Sequence, residues 1–262
     1  FTAMCAFAPY NLENVKQIGY DVLSNRPKQA AYRAPGSPMA AFAVESIIDE
    51  LCNRLKLDPI DVRLKNASKE GTKASFGPKW DRIGLVECLE AAKQHPHYSA
   101  PLTKGQGRGV SSGFWFNHGG ETAVTLALSE DGTAALSVGT PDIGGSRASM
   151  CQMAAEELGI PYDKVRTTIA DTATLGYNEV SHGSRVTYAS GLATIKAARD
   201  AVKKLCARAA KKWNIDEEAV IWEDGFAKPS GPDAGDFEPI PLAKLTKSMG
   251  RTGGPIVGHF EA

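Results

Sequence analysis

Met39, Phe42, Ala43, Ile47, Leu51 and Leu55 recur at helical spacing and predict a long amphipathic helix. Ser37 suits its N-cap, and Pro38 its first helical position, where the missing N–H costs nothing. Shorter helical patterns run over Pro59–Lys65 and Leu85–Lys93. Another begins near Ser149 and runs to Leu158, stopped by Gly159 with Pro161 just beyond. A second long helix is predicted from Tyr188 to Trp213, with Leu192, Ile195, Ala198, Val202, Leu205, Ala209 and Trp213 on one side, and a last one over Ile240–Met249.

Strand-like runs cover Val15–Leu23, Arg108–Phe116, Glu121–Leu128, Thr133–Val138, Val165–Ile169 and Val220–Ala227. Glu130-Asp131-Gly132 is a tight hairpin signal between two of them. The low-hydrophobicity stretch Pro96–Gln106 marks an internal boundary, giving a first lobe over residues 1–101 and a second over 102–262. Mixed strands and helices in two lobes make the expected fold class α+β.

Composition narrows the function more than the fold. Thirty basic residues balance thirty acidic ones, which argues against a general nucleic-acid binder. No apolar run approaches the roughly 20 residues of a membrane-spanning helix. Five scattered cysteines, Cys5, Cys52, Cys88, Cys151 and Cys206, form neither a disulfide framework nor a zinc or iron–sulfur motif. The expected location is cytoplasmic. The start at Phe1 and the end at Gly258–Ala262 read as an internal fragment of something longer.

Two Gly/Ser-rich loops carry the candidate chemistry. Asp142–Ser149 follows the strand-like run ending at Val138, and Ser181–Thr187 follows the run ending at Ile169 through a turn-rich connection; each opens a helix. A helix start leaves N–H groups unpaired and carries partial positive charge, so the pair could cradle one anionic ligand. Ordinary strand-to-helix connections also use Gly and Ser to turn and cap, and with Arg147 and Arg185 inside the loops both readings stay open. Arg33, in a loop next to two prolines and a glycine, suits either a surface position or a fixed donor to an oxo group or phosphate. Gly105–Gly109 precedes a strand and fails the dinucleotide-loop context. His95-Pro96-His97 reads as exposed loop, His118-Gly119-Gly120-Glu121 as a hairpin turn, and Glu156-Glu157 as a solvated face.

Ala31–Pro38, Glu45–Leu51 and Leu57–Asn66, followed by Val138–Gly145, Ala154–Pro161, Ala170-Asp171-Thr172 and Ser181–Thr187, resemble the molybdenum-binding subunit of the xanthine dehydrogenase and aldehyde oxidase family. The arginine loop is most similar to the bacterial branch containing carbon monoxide dehydrogenase-like proteins. The resemblance implies a molybdenum hydroxylase that binds molybdopterin cytosine dinucleotide and oxidises an aldehyde, N-heterocycle or similar molecule with oxygen from water. It implies Arg33 and Gly183 beside the metal, and Tyr32, Ala34 and Pro35 lining the substrate pocket. Gly144, Gly145 and Ser146, with Ser181, His182, Gly183 and Ser184, would contact the cofactor. Electrons would leave through 2Fe-2S clusters to FAD on partner subunits of an oligomer that includes the rest of the molybdenum-binding chain. The family's catalytic glutamate is expected beyond Ala262, so no catalytic residue is assigned within this fragment.

Two departures accompany the resemblance. Gly144-Gly145-Ser146 stands where the family usually has Gly-Gln-Gly, and Ala34-Pro35 where relatives carry glycine, cysteine or an aromatic. They leave a second reading, a non-catalytic paralogue or isolated binding module that keeps the fold without molybdenum.

Overall fold

The computed structural model describes residues 1–27, 30–169 and 171–261, the side chain of Asp233 excepted. Ala170 and Ala262, which belong to sequence runs quoted above, lie outside the described residues. The chain divides into two units, Phe1–Phe116 and Asn117–Ala262. Residues 102–116, assigned from sequence to the second lobe, therefore go with the first unit. Two links hold them there: Ser37 Oγ donates to Phe114 O at 2.6 Å, and Ser112 N donates to Glu45 Oε2 at 2.7 Å.

The first unit is helical: α1 (Thr2–Ala6), α2 (Ser37–Leu55), α3 (Pro59–Asn66), α4 (Leu85–Gln94) and α5 (Pro96–Ser99). Asp58 caps α3, its Oδ1 accepting from Ile60 N and Asp61 N, both at 2.9 Å. Ser37 is the first helical residue of α2 and not its cap; Gly36, in the left-handed region, occupies the N-cap. The face that α2 buries is also not the apolar stripe. Ala40, Glu45 and Cys52 are buried, while Met39, Phe42, Ile47, Leu51 and Leu55 are exposed.

The interior side of α2 is organised around the Glu45 carboxylate. Oε2 accepts from Arg63 Nε at 2.8 Å as well as from Ser112 N, and Oε1 accepts from the Tyr10 hydroxyl. Arg63 is wholly buried and also reaches Asp49 Oδ1 at 2.9 Å and Pro59 O at 2.9 Å. Burial, reinforced by the hydrogen bond to Glu45, pushes the Tyr10 phenol well above its usual range. Val15–Leu23 and Arg108–Phe116 form no strands. In the latter, Phe114 packs on Trp80 and Phe76, and Trp115 stacks on Phe116, so the aromatics serve side-chain packing without a ladder.

The second unit is a layered α+β structure. Among the described residues a four-stranded sheet has the order β3-β2-β1-β7, from β1 (Ala123–Leu128), β2 (Ala134–Val138), β3 (Val165–Ile169) and β7 (Val257–Glu261). The β1–β2 hairpin turns at the expected Glu130-Asp131-Gly132; Thr133 N and Oγ1 both donate to Asp131 Oδ1. Helix α6 (Ser146–Leu158) carries the chain from β2 to β3, which pair in parallel from Ala134↔Val165 to Val138↔Ile169. A π-turn at Val186–Ser190 then leads into α7 (Gly191–Trp213). The run Val220–Ala227 is a hairpin, β4 (Val220–Glu223) and β5 (Phe226–Pro229), joined by β6 (Ile240–Pro241) in a second sheet. The last predicted helix is split into α8 (Leu242–Thr246) and α9 (Met249–Thr252), and β7 follows.

Val124, Leu126, Leu136, Val138, Met150, Ala154, Leu158 and Leu205 form the centre of one apolar core between the main sheet and the helices. The buried face of α7 is rotated from the predicted one toward small residues: Ala193, Ala197, Ala198, Ala201, Leu205, Ala209 and Ala210 are buried, whereas Leu192 is exposed. Close approach is the reason. A methyl group added at Gly258 on β7 would fall 2.0 Å from Ala197 O, so larger side chains on that helix face have no room.

Candidate functional site

Parallel pairing of β2 with β3 places both Gly/Ser loops beyond the carboxyl ends of adjacent strands. The first loop, Pro141–Gly145, turns on two consecutive left-handed residues, Gly144 (φ 69°) and Gly145 (φ 82°). Side chains oppose that conformation, which glycine adopts without steric cost. A methyl group added at Gly145 would meet no atom within 4 Å, so the loop's outer face is open.

Asp142 holds the start of α6, its Oδ1 accepting from Arg147 N at 3.0 Å. Ser146 turns inward. Its Oγ accepts from Ile143 N at 3.3 Å and donates to Pro141 O at 3.3 Å, which leaves its hydroxyl engaged within the loop. Thr140, at the loop's entrance, is buried with its Oγ1 unpartnered.

The second loop has its own left-handed pair, Gly183 (φ 53°) and Ser184 (φ 57°). Gly183 O accepts from His118 N at 2.7 Å, tying the loop to the segment that precedes β1. Ser181 Oγ is buried without a hydrogen-bond partner. Such a group costs on the order of 1–3 kcal/mol unless something satisfies it, so the entrances of both loops hold a hydroxyl that lacks its partner.

Arg185 is not a free anion donor, as the sequence reading allowed. It is wholly buried and spends its guanidinium on protein oxygens: Gly119 O (2.9 Å), Gly120 O (3.1 Å), Glu121 O (2.9 Å), Glu179 O (2.9 Å) and Thr122 Oγ1 (2.5 Å). It clamps segment 119–122 to segment 179–185. Arg147 remains exposed, 3.9 Å from Asp142 Oδ2.

In the first unit, the arginine loop stores backbone strain. Arg33 (φ 33°) and Ala34 (φ 54°) are consecutive non-glycine residues with positive φ. Such strain clusters at ligand clamps and active sites. Tyr32 and Arg33 are exposed, and Ala34 and Pro35 half-buried. Of the residues set aside from sequence, His95 and His97 are exposed, and Glu157 pairs with Arg199 through two 2.8 Å hydrogen bonds.

Two loops with left-handed residues thus lie past adjacent parallel strands, each with a buried hydroxyl that has no hydrogen-bond partner. Two family models, both described as molybdopterin cofactor-binding domain, match residues 87–259 and 1–67. The chain belongs to the molybdopterin cofactor-binding domain family of the xanthine dehydrogenases and aldehyde oxidoreductases. It is 32% identical over 203 residues to the xanthine dehydrogenase molybdenum-binding subunit of Escherichia coli O157:H7, covering 71% of this chain and 27% of that one. It is 29% identical over 215 residues to the aldehyde oxidoreductase of Megalodesulfovibrio gigas, covering 76% and 23%. The fold is shared with CO dehydrogenase from Oligotropha carboxidovorans, with a TM-score of 0.59, 21% identity and coverage of 86% and 32%. The chain thus spans about a quarter of the length of these curated relatives. No described helix is long and apolar enough to cross a membrane.

Proposed function

We propose that the chain is the cofactor-holding part of a molybdopterin-dependent oxidoreductase. The observation that carries this reading is the pair of strand-end loops with the unpartnered hydroxyls of Thr140 and Ser181. Those residues fit the group: a molybdopterin presents phosphate and hydrogen-bonding ring atoms, which backbone N–H groups and hydroxyls can satisfy. Gly144, Gly145 and Ser146 would contribute through their backbone, since the Ser146 side chain is engaged within its loop. Ser181, His182, Gly183 and Ser184 would form the other wall, with Gly183 nearest the metal. Arg33 would stand beside the metal, and Tyr32, Ala34 and Pro35 on the substrate side of the same strained loop. When bound, the cofactor supplies the redox chemistry that places an oxygen from water on a carbon centre; the chain supplies orientation and electrostatics.

We extend the reading by fold-level analogy to a cytosine dinucleotide form, 2Fe-2S and FAD on partner subunits and a cytoplasmic oligomer; the relatives' names, an aldehyde oxidoreductase and a nicotine 6-hydroxylase large subunit among them, favour an aldehyde or N-heterocycle as substrate. The test is the molybdenum-to-protein ratio of the intact protein, compared with Thr140→Val and Ser181→Ala variants. Near-stoichiometric molybdenum that falls in both variants supports the reading. A folded protein free of molybdenum overturns it in favour of a non-catalytic paralogue.

A further inference from the structure

Three residues from two distant segments converge beside the second loop. Glu179 Oε1 lies 3.1 Å from His182 Nε2 and 4.0 Å from His118 Nε2, and the three ligand atoms all fall within 4.8 Å of one another. The two imidazole rings face each other with centroids 4.9 Å apart. We propose that His118, Glu179 and His182 form a binding site for a borderline divalent cation such as Zn²⁺ or Co²⁺. Two imidazoles and a carboxylate are a donor set of this class of ion, and three protein ligands leave a coordination position open.

The distances suit that ion. Bonds of about 2.0–2.1 Å in tetrahedral geometry set ligand atoms roughly 3.3 Å apart, so the 3.1 Å pair is already in place, while the 4.0 Å pair and the two imidazoles, whose ligand atoms lie within 4.8 Å, close by side-chain rotation when the ion binds. All three side chains retain solvent access, which gives an ion a way in.

The surroundings fix the ligands. Arg185 hydrogen-bonds carbonyls on both sides of the cluster, including Gly119 O beside His118 and Glu179 O itself. A second tie is the 2.7 Å hydrogen bond from His118 N to Gly183 O, next to His182. The Glu179 carboxylate lies on Gly120, where an added methyl group would fall 1.7 Å from Oε2; only glycine leaves room for it. Arg185 Nε stands 3.9 Å from that same Oε2, so the guanidinium faces the far oxygen while Oε1 is presented to the two histidines. Supporting partners of this kind hold metal ligands in register and affect affinity by about 10–100-fold.

Although His182 also belongs to a proposed cofactor loop, the cation site stands on the three side chains and does not depend on the cofactor reading. The test is Co²⁺ titration of the intact, chelator-treated protein, followed by visible d–d absorption, with molybdenum measured on the same samples. One Co²⁺ per chain is expected in the cluster, displaced by Zn²⁺. His118→Ala and Glu179→Gln should each weaken binding at least about tenfold, since a ligand matters no less than its supports. Circular dichroism confirms that both variants are folded; Glu179→Gln preserves shape and serves if His118→Ala misfolds. No Co²⁺ spectrum, or equal binding by the folded variants, overturns the proposal. Co²⁺ bound without molybdenum would sink the cofactor reading and sustain this one, whereas molybdenum without a Co²⁺ site would do the reverse.

Discussion

Arg185→Lys isolates the clamp that shapes the second loop. The substitution keeps the positive charge but replaces a planar fork of five donors with a point ammonium carrying three. Arg185 makes five hydrogen bonds, four of them to backbone carbonyls of residues 119, 120, 121 and 179. At least two acceptors must lose their partner, and each bond to a charged donor is worth about 1.5–3 kcal/mol. With partial relaxation toward water, the expected loss is about 3 kcal/mol, concentrated where the two segments meet. Native-state hydrogen exchange resolved to peptides covering residues 117–122 and 178–185 reads that loss directly. At about 1.4 kcal/mol per factor of ten, protection of these amides, including His118 N, should fall roughly a hundredfold. Amides in the core of α7 should change far less. Protection unchanged within about threefold would refute the clamp and return Arg185 to the role of an available anion donor.

Two further perturbations test the first unit. Glu45→Gln removes the anion beside the wholly buried Arg63 and should cost about 3–5 kcal/mol in urea denaturation; a loss below 1 kcal/mol would mean that Asp49 alone satisfies the guanidinium. Asp58→Ala deletes the α3 cap and should cost about 1 kcal/mol at pH 7. Burial would raise the Asp58 pKa, but hydrogen bonds from Asp61 N, the Tyr98 hydroxyl and Ile60 N outweigh it and hold the group below its usual value. A carboxylate lowered on folding stabilises above its unfolded pKa, near about 3.9, and that contribution is lost as pH falls through the folded value. The difference between wild type and Asp58→Ala should therefore shrink between pH 5 and about pH 2, and a difference independent of pH would refute the assignment.

Local patterns were legible in the sequence wherever one segment carried the whole signal. Asp131 and Gly132 fix the β1–β2 hairpin, and Gly159 with Pro161 ends α6, because turn and cap chemistry acts over three or four residues. Helix existence was legible for the same reason, but the buried face was not. In α2 the apolar stripe predicted inward is exposed, because the inner side of the helix is committed to the Glu45–Arg63–Tyr10 network. In α7 the buried face is mostly alanine beside Leu205, and near Ala197 and Ala201 the β7 backbone comes too close for anything bigger. Both misreadings have one origin: periodicity says that a helix has two faces, while the neighbour decides which face is used and how near it comes.

The same distinction governs the site. The loops at Gly144 and Gly183 announce themselves through glycine and serine, and the strands before them pair in parallel. Glu179 and His182 are three residues apart, a spacing that could have drawn attention to the pair. Nothing local links them to His118. That link is made by a buried arginine whose apparent signal, a positive charge in a glycine–serine loop, pointed to an external anion. A guanidinium with five donors finds its partners among carbonyls as readily as among phosphates, and burial decides between them. Here burial is complete, so the charge that the sequence offered to a ligand is spent on holding the loop that would receive one.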